Sequence, residues 1–268
     1  MDELEKKKDI IDRLNGIDDI LFQKIMEDRA AAQEILQTIM QDDSLSLVWI
    51  APQTSLRSMP GRSVVLDCLC KDMQGRYFAT EVQKADNDDH QKRVRYNGSS
   101  IDTYFSEKGI TFQEVPEVFS IFLTKFDLFH SGKAVCQVRR IVDPIGRVVS
   151  NGFHEIYINA AVNDGSKAAQ LMQYLLCTEG CNPVFPKVSA RVQFLKHNRS
   201  EVNAMCELVE EYARERAEKA TIKTAVESAQ KGVKEGLPFD MAVKIFSMLS
   251  VDDLKLIYSG ADTRLISK

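Results

Sequence analysis

The chain has 268 residues, of which 44% are hydrophobic and 28% are charged, and its formal net charge is −4. This composition excludes a disordered chain, and the negative balance excludes a protein that attracts nucleic acid over its whole surface. The start lacks an apolar signal region, no stretch reaches about 18 consecutive apolar residues, and no CxxC pair occurs. We therefore expect a cytoplasmic protein without a membrane span, a zinc site or a disulfide framework.

The first part of the chain shows patterns typical of helices and then of a strand. Asp18 and Asp19 suit the start of a helix, because short polar side chains cap the free N–H groups there. Residues 45–50 predict a β-strand. Between them runs an apolar stripe with helical spacing, formed by Ala32, Ile35, Leu36 and Ile39.

A β-hairpin is predicted for residues 64–84, where two runs rich in β-branched and aromatic residues flank a set of turn residues. If the loop takes residues 72–76, Lys71 pairs with Tyr77 and the register of the whole hairpin follows.

The predicted register brings two acids together. It sets Asp67 opposite Glu81, at the distance of about 5 Å that separates cross-strand neighbours. Because side chains alternate across a strand, Gln83 points the same way as Glu81. Lys84 is expected on the opposite face unless a bulge intervenes.

Two carboxylates this close repel each other, and a cation between them relieves the repulsion. Carboxylate and amide oxygens suit Mg²⁺, Mn²⁺ or Ca²⁺, whereas zinc prefers thiolates and imidazoles. The pattern thus predicts a metal site made of oxygen ligands alone. The alternative is a solvated face of the hairpin, where acids are common.

The segment after Gln83 predicts a helix from His90 to a C-cap at Gly109. Arg93 lies on one side of it, and Arg95 is turned away. A phosphate clamp beside the acids is one interpretation, because arginine matches phosphate oxygens; a solvated basic face is the other. The candidate DNA-binding side chains of this region are Lys84, Lys92, Arg93, Arg95 and Tyr96.

The rest of the first half of the chain predicts more strands. Residues 118–125 read as a closing strand, and the strand-like runs 133–142 and 154–162 are expected to extend the sheet. Because the whole chain is acidic, any binding of nucleic acid must come from a local basic patch. Besides residues 84–95, the candidates for such a patch are Arg139, Arg140 and Arg147.

A helix is predicted for residues 167–177, and the loop after it, GCNPVFPK, is the clearest break in the chain. We therefore expect a domain at 1–180 and a mainly helical C-terminal extension at 181–268. This extension has a long charged helix at residues 200–231, through which a homodimer is a hypothesis. Two short helices follow at 238–247 and 251–258, the second opened by a capping box from Ser250 and Asp253.

Five segments, in this order, carry a family resemblance: DDILFQKIMED, VVLDCLC, ATEVQKA, KRVRYNGSSID and FLTKFDLF. They are similar to the PD-(D/E)XK nuclease superfamily, specifically its recombination-promoting nuclease and putative transposase family. The resemblance implies a restriction-endonuclease-like α/β fold with an αβββαβ core and a mixed central sheet. It implies that Asp67 and Glu81 are metal ligands and that Gln83 stands where other nucleases have a lysine. Glu34 is the candidate for a further, helix-borne acid, although an exposed helix charge is the simpler interpretation.

The function implied is hydrolysis of DNA by a metal-dependent endonuclease associated with recombination or mobile elements. Asp67, Glu81 and Gln83 are the expected catalytic residues, Mg²⁺ the expected ion and Mn²⁺ a possible replacement. Arg93 or Arg95 is expected to grip the scissile phosphate. The alternative is a catalytically inactive nuclease fold that binds DNA or a protein partner, because Gln83 lacks the positive charge of lysine and fold does not dictate function.

Overall fold

The computed structural model describes residues 3–56, 64–86, 89–106, 109–178 and 181–261. Helices come first, and three strands, a helix and another strand follow. The bounds of this part are α1 Glu3–Asp12, α2 Asp19–Met26, α3 Arg29–Met40, β1 Leu47–Leu56, β2 Val64–Asp72, β3 Tyr77–Gln83, α4 His90–Phe105 and β4 Val118–Thr124. The αβββαβ order predicted from the sequence is therefore confirmed.

The chain continues with short strands and then with helices to its described end. The bounds are β5 Val135–Val138, β6 Ile141–Val142, β7 Arg147–Val148, β8 Phe153–Asn159, α5 Lys167–Leu176, α6 Pro186–His197, α7 Arg199–Lys234, α8 Phe239–Ile245 and α9 Val251–Tyr258. Within the described ranges, no helix is both long enough and apolar enough to span a bilayer.

A six-stranded sheet organises the first part of the molecule, with strand order β1-β2-β3-β4-β8-β5. Strands β3, β4 and β8 run parallel, and the other pairs are antiparallel, so the sheet is mixed as expected. A parallel pair needs a crossover, and α4 provides it between β3 and β4. The sheet thus leads straight from the hairpin into the basic helix.

Helix α4 covers one face of the sheet. Val94 packs with Phe122 and Tyr157, and all three are buried. Gly98 permits this close packing, because a Cβ at this position would lie 2.1 Å from the ring of Phe153. The apolar stripe predicted in α3 is buried as well, and α2 and α5 contact β2 and β8. The sheet is therefore a layer between helices, the arrangement that buries both of its faces.

Several boundaries differ from those predicted. Helix α4 ends at Phe105, with Ser106 as its C-cap, and does not reach Gly109; residues 107 and 108 lie outside the described ranges. The run 133–142 was expected to extend the sheet, but only β5 does so, since β6 and β7 pair with each other in a separate two-stranded sheet. Turn residues at the Asp143–Ile145 helical turn fold this segment back on itself.

Two compact units make up the chain, Met1–Met205 and Cys206–Lys268. The domain boundary expected near residue 180, itself outside the described residues, precedes α6. This helix was missed in the sequence, and it contacts α1, α2 and α3 of the first unit. Its first residue, Pro186, is a typical helix start, because the fixed φ of proline suits that position.

The second unit has a small apolar core of its own. Ala225 and Ala229 of α7 pack with Leu254 and Ile257 of α9. The predicted capping box opens α9: Ser250 Oγ accepts a hydrogen bond from the Asp253 N–H at 3.1 Å, and the Asp253 carboxylate accepts one from the Ser250 N–H. Dimerisation through these helices stays a prediction.

Candidate active site

The loop of the β2–β3 hairpin has the predicted length. Asp72 Oδ1 accepts hydrogen bonds from the N–H groups of Gln74 at 3.0 Å and Arg76 at 2.9 Å, and Gly75 takes the positive φ of 82° that the turn requires. Lys71 consequently pairs with Tyr77.

This register brings Asp67 and Glu81 together across the hairpin. The Asp67 N–H donates to Glu81 Oε1 at 3.3 Å, and the Val82 N–H donates to Asp67 Oδ2 at 2.8 Å. The Asp67 carboxylate thus turns toward β3 and replaces a backbone acceptor of the ladder. Glu81 is almost completely buried, with 1% of its surface exposed.

Burial and mutual repulsion make both acids hard to ionise. Burial raises the pKa of Glu81 to about 8, and the negative charge of Asp67 adds to this shift. Burial also raises the pKa of Asp67, against the hydrogen bond from Val82, and the charge of Asp19 adds to it. A cation that reaches these two carboxyl groups would stabilise their ionised form.

Arg93 connects the acids to helix α4. Its Nη2 donates to Glu81 Oε2 at 3.0 Å and its Nη1 to Gln83 Oε1 at 3.1 Å, so one guanidinium bridges two neighbouring side chains of β3. Asp89 fixes the start of the helix, because its carboxylate accepts from the Lys92 N–H at 3.0 Å. Gln83 is held from its other end by its amide nitrogen, which donates to the Ala85 carbonyl at 2.8 Å.

Lys84 is the first residue after β3, which ends at Gln83. Its ammonium contacts Asp18 Oδ1 at 3.0 Å and Asp19 Oδ1 at 3.2 Å at the start of α2, whereas Glu81 and Gln83 contact Arg93 of α4. The charge of Lys84 opposes the rise in the pKa of Asp67. That Lys84 lies on the face opposite Glu81 stays a prediction.

The helix-borne acid that acts on the pair is Asp19, which sequence reasoning treated only as a helix start. Glu34, the earlier candidate, accepts a hydrogen bond at 2.8 Å from the N–H of Val188 in α6. Asp18 occupies the N-cap position of α2 but makes no capping hydrogen bond; it accepts instead from the Asn15 N–H at 2.9 Å. The family-like segment DDILFQKIMED was the signal that could have identified Asp19.

The other candidate DNA-binding residues lie along α4, apart from the acids. Lys92 is exposed and forms an ion pair with Asp89 at 2.7 Å. Tyr96 is 39% exposed. Arg95 lines a cavity of about 170 Å³ together with Arg140. The prediction that Arg93 and Arg95 point in different directions agrees with these contacts.

The acid pair fits a hard divalent ion. No group of three or more His, Cys, Asp or Glu side chains among the described residues is arranged to hold a metal. Mg²⁺ does not need such a group, because it is often held by one or two carboxylates and completes its shell with water and substrate phosphate. Asp67 Oδ1 lies outside the hydrogen bond with Val82, and among the described residues Glu81 Oε1 has the 3.3 Å contact with the Asp67 N–H alone.

Comparison with known proteins gives one family. The family model described as PD-(D/E)XK nuclease family transposase matches residues 19–235, which include every site residue named above except Asp18. Comparisons with curated proteins and with solved structures found no significant match.

Proposed function

The chain belongs to the PD-(D/E)XK nuclease family transposases, and we propose that it is a metal-dependent DNA endonuclease in which Asp67 and Glu81 hold the ion. The observation that carries the proposal is the buried acid pair itself, with the pKa of Glu81 raised to about 8. A protein gains no stability from two adjoining carboxylates that resist ionisation. A bound divalent ion would turn this arrangement into a favourable one.

Nucleases of this superfamily generally use divalent metal ions, and the oxygen-only donor set here favours Mg²⁺, with Mn²⁺ as a replacement. When bound, such an ion polarises a phosphoryl oxygen and lowers the pKa of its water.

The side chains of the chain itself have separate tasks in this proposal. Arg93 is better placed than Arg95 to grip the scissile phosphate, because its guanidinium already lies beside Glu81 and Gln83. Gln83 can orient the attacking water through its amide oxygen but brings no charge. Lys84 supplies part of the missing positive charge, since it favours the ionised form of Asp67.

A nicking assay on supercoiled plasmid at low salt tests the proposal. Wild type is compared with Asp67→Ala and Glu81→Ala in Mg²⁺, in Mn²⁺ and in EDTA. We expect nicking by wild type with either metal and none in EDTA or with either variant. The exposed Asp43, which lies outside the site, supplies the control Asp43→Ala. Nicking that survives both site substitutions would exclude this site.

A second substitution tests the position of Gln83. If its amide occupies the place of the usual lysine, Gln83→Lys should retain or raise the rate of nicking. The same folded variant with no activity would instead show that the amide oxygen is itself required.

A catalytically inactive, DNA-binding nuclease fold is the second candidate. It is favoured by the contact of Arg93 with both Glu81 and Gln83, because this cation already neutralises part of the charge that would attract an ion. It predicts DNA binding that is unchanged by EDTA and no nicking with any metal. In either case the association with recombination follows from the family alone, and we propose no strand-joining step.

A further inference from the structure

A fifteen-residue segment in which every residue is exposed begins with the last two residues of β5 and ends before β8. We call residues 137–151 the basic ribbon, because this exposed segment contains three arginines and a single acid. Its strands β6 and β7 pair only with each other, with Ile141 opposite Val148 and Val142 opposite Arg147. A two-stranded hairpin of this kind is marginal in water. Its exposed Ile and Val side chains therefore indicate a surface that meets a partner.

The charge of the basic ribbon identifies the chemistry of that partner. The ribbon contains Arg139, Arg140 and Arg147 against a single acid, Asp143. Among the described residues, no carboxylate lies within ion-pair distance of these arginines or of Arg95. In a chain with a net charge of −4, four arginines without an ion pair to a described carboxylate are a local exception. Such a group suits the phosphates of a polyanion.

Arg140 joins the ribbon to helix α4. Its guanidinium lies over the ring of Phe153, 5.5 Å from the centroid. On one side it lines a cavity of about 320 Å³ with Arg139 and His154, and on the other it lines the cavity of about 170 Å³ with Arg95. Arg139 and Arg140 of the ribbon and Arg95 of α4 thus border one continuous stretch of surface.

The two cavities are lined by more arginines than acids. Arg95, Arg139 and Arg140 line them together with Asp102 and Glu155. Glu117 lies close by and pairs with His154 at 2.7 Å. The lining therefore has a positive balance that a phosphate backbone can use.

The distance to the acid pair suits a duplex. Glu81, Phe122 and Tyr157 lie side by side on three neighbouring strands, and Phe153 lies four residues before Tyr157 on β8. With about 4.8 Å between strands and about 3.3 Å per residue, Phe153 lies roughly 16 Å from Glu81. About five base pairs of B-DNA, at roughly 3.4 Å each, cover that length. Alternation sets Glu81 and Phe153 on the same face of the sheet, the face that is covered by helix α4, which carries Arg95.

We propose that the basic ribbon, together with Arg95, is a second contact for the DNA backbone, about five base pairs from the acids that cut it. The choice of DNA as the partner rests on the proposed endonuclease function. The ribbon grips backbone phosphates without reading bases, so it adds affinity at any sequence.

The test measures binding of a fluorescent 25-base-pair duplex to the full chain in EDTA, from low to moderate salt. Arg140→Gln with Arg147→Gln removes two exposed cations of the ribbon. The control, Lys219→Gln with Lys223→Gln, removes two exposed cations of α7. We expect the slope of log K against log salt to become shallower by about 2 in the ribbon variant and to stay unchanged in the control. An unchanged slope in the ribbon variant overturns the proposal.

Two further measurements separate this proposal from the enzymatic one. Asp67→Asn should keep the wild-type slope, because the ribbon is intact. If wild type does not nick DNA but the salt slope of the ribbon variant is shallower than that of wild type, the ribbon contact is supported and the endonuclease function is contradicted. Sedimentation gives the mass of each protein: a dimer that becomes a monomer in the ribbon variant, with an unchanged DNA slope, would show that the ribbon binds a second copy instead.

Discussion

Lys196 and Glu81 are buried almost equally deeply in the first unit, but their surroundings differ. Lys196 is 3% exposed, and its ammonium donates to three backbone carbonyls, those of Asp12 at 3.0 Å, Leu14 at 2.8 Å and Thr178 at 2.8 Å. Glu81 is 1% exposed, accepts hydrogen bonds from the Arg93 guanidinium and the Asp67 N–H, and has the like charge of Asp67 beside it. The lysine is fully provided with acceptors, whereas the glutamate is not.

This difference is the one expected between a structural charge and the functional charge that we propose for Glu81. Three carbonyls satisfy the three donors of an ammonium, so Lys196 ties the α1–α2 connection and the chain after α5 to helix α6. The acid pair makes no comparable connection between elements. Its ionised form is disfavoured, and an added cation would stabilise that form. Local instability of this kind is frequent at functional sites.

The largest effect is expected for Asp67→Asn. The substitution keeps the shape of the side chain and its hydrogen-bond acceptor but removes the charge that holds the ion. Loss of several kcal/mol of transition-state stabilisation lowers the nicking rate by about 10³-fold. The melting temperature should stay at or above the wild-type value. A single-turnover nicking assay and a thermal melt measure the two effects. A variant that has a lower melting temperature but cleaves normally when folded would contradict a functional role for Asp67.

Lys196→Met should show the opposite pattern. It leaves buried carbonyls without their donor, which costs about 3 kcal/mol and lowers the melting temperature by about 6–12 °C. Nicking per folded molecule should be unchanged, because the three hydrogen bonds of Lys196 do not involve Asp67, Glu81, Gln83 or Arg93. Urea unfolding, followed by an assay at a temperature where the variant is folded, checks both parts. Lys187→Met, an exposed lysine of the same helix, is the matched control.

Arg93→Lys tests the role proposed for Arg93 in the site. Lysine keeps the charge but cannot bridge Glu81 and Gln83 with two separate donors. We expect a 10- to 100-fold lower nicking rate, roughly the effect of losing a residue that orients metal ligands. Arg95→Lys in the same assay should lower the rate less. Equal losses for the two variants would contradict the assignment of Arg93 to the scissile phosphate.

The pH dependence of stability should reveal the acid pair in the absence of metal. The folded-state pKa of Glu81 is raised to about 8 from its ordinary value of 4.5. The folded state therefore holds the proton more tightly than the unfolded state, so its stability falls as pH rises from about 4.5 to about 8. Between pH 6 and pH 9, Glu81→Gln should gain about 1–2 kcal/mol, or about 2–8 °C, relative to wild type in EDTA.

The control for this experiment is Asp43→Asn, an exposed acid of the same unit. Its melting temperature should follow that of wild type at every pH. If the curves of wild type and Glu81→Gln also run parallel, the pKa of Glu81 is not raised by burial and by Asp67 in the folded chain.

The hairpin could be predicted because its signals are local. Alternation has a strict period of two, and the loop chemistry of Asp72 and Gly75 sets the register, so Lys71 and Tyr77 pair as expected. The position of Arg93 followed in the same way from helical spacing and the cap at Asp89. Local rules were sufficient wherever the residues concerned are close in the chain.

Contacts between distant residues could not be predicted. Glu34 meets a backbone N–H 154 residues further on, and Lys84 meets Asp18 66 residues earlier. In both cases the partner lies on another element, which no local pattern specifies. The separate pairing of β6 and β7 was missed because a strand pattern does not specify its partner.

The most direct test of the account is the stoichiometry of Mn²⁺ binding to the full chain at pH 8.5, measured by calorimetry. The account predicts one site in wild type and in Asp43→Asn, lost in both Asp67→Asn and Glu81→Gln, because one ion needs both carboxylates. Binding that is unchanged in either site variant would contradict it.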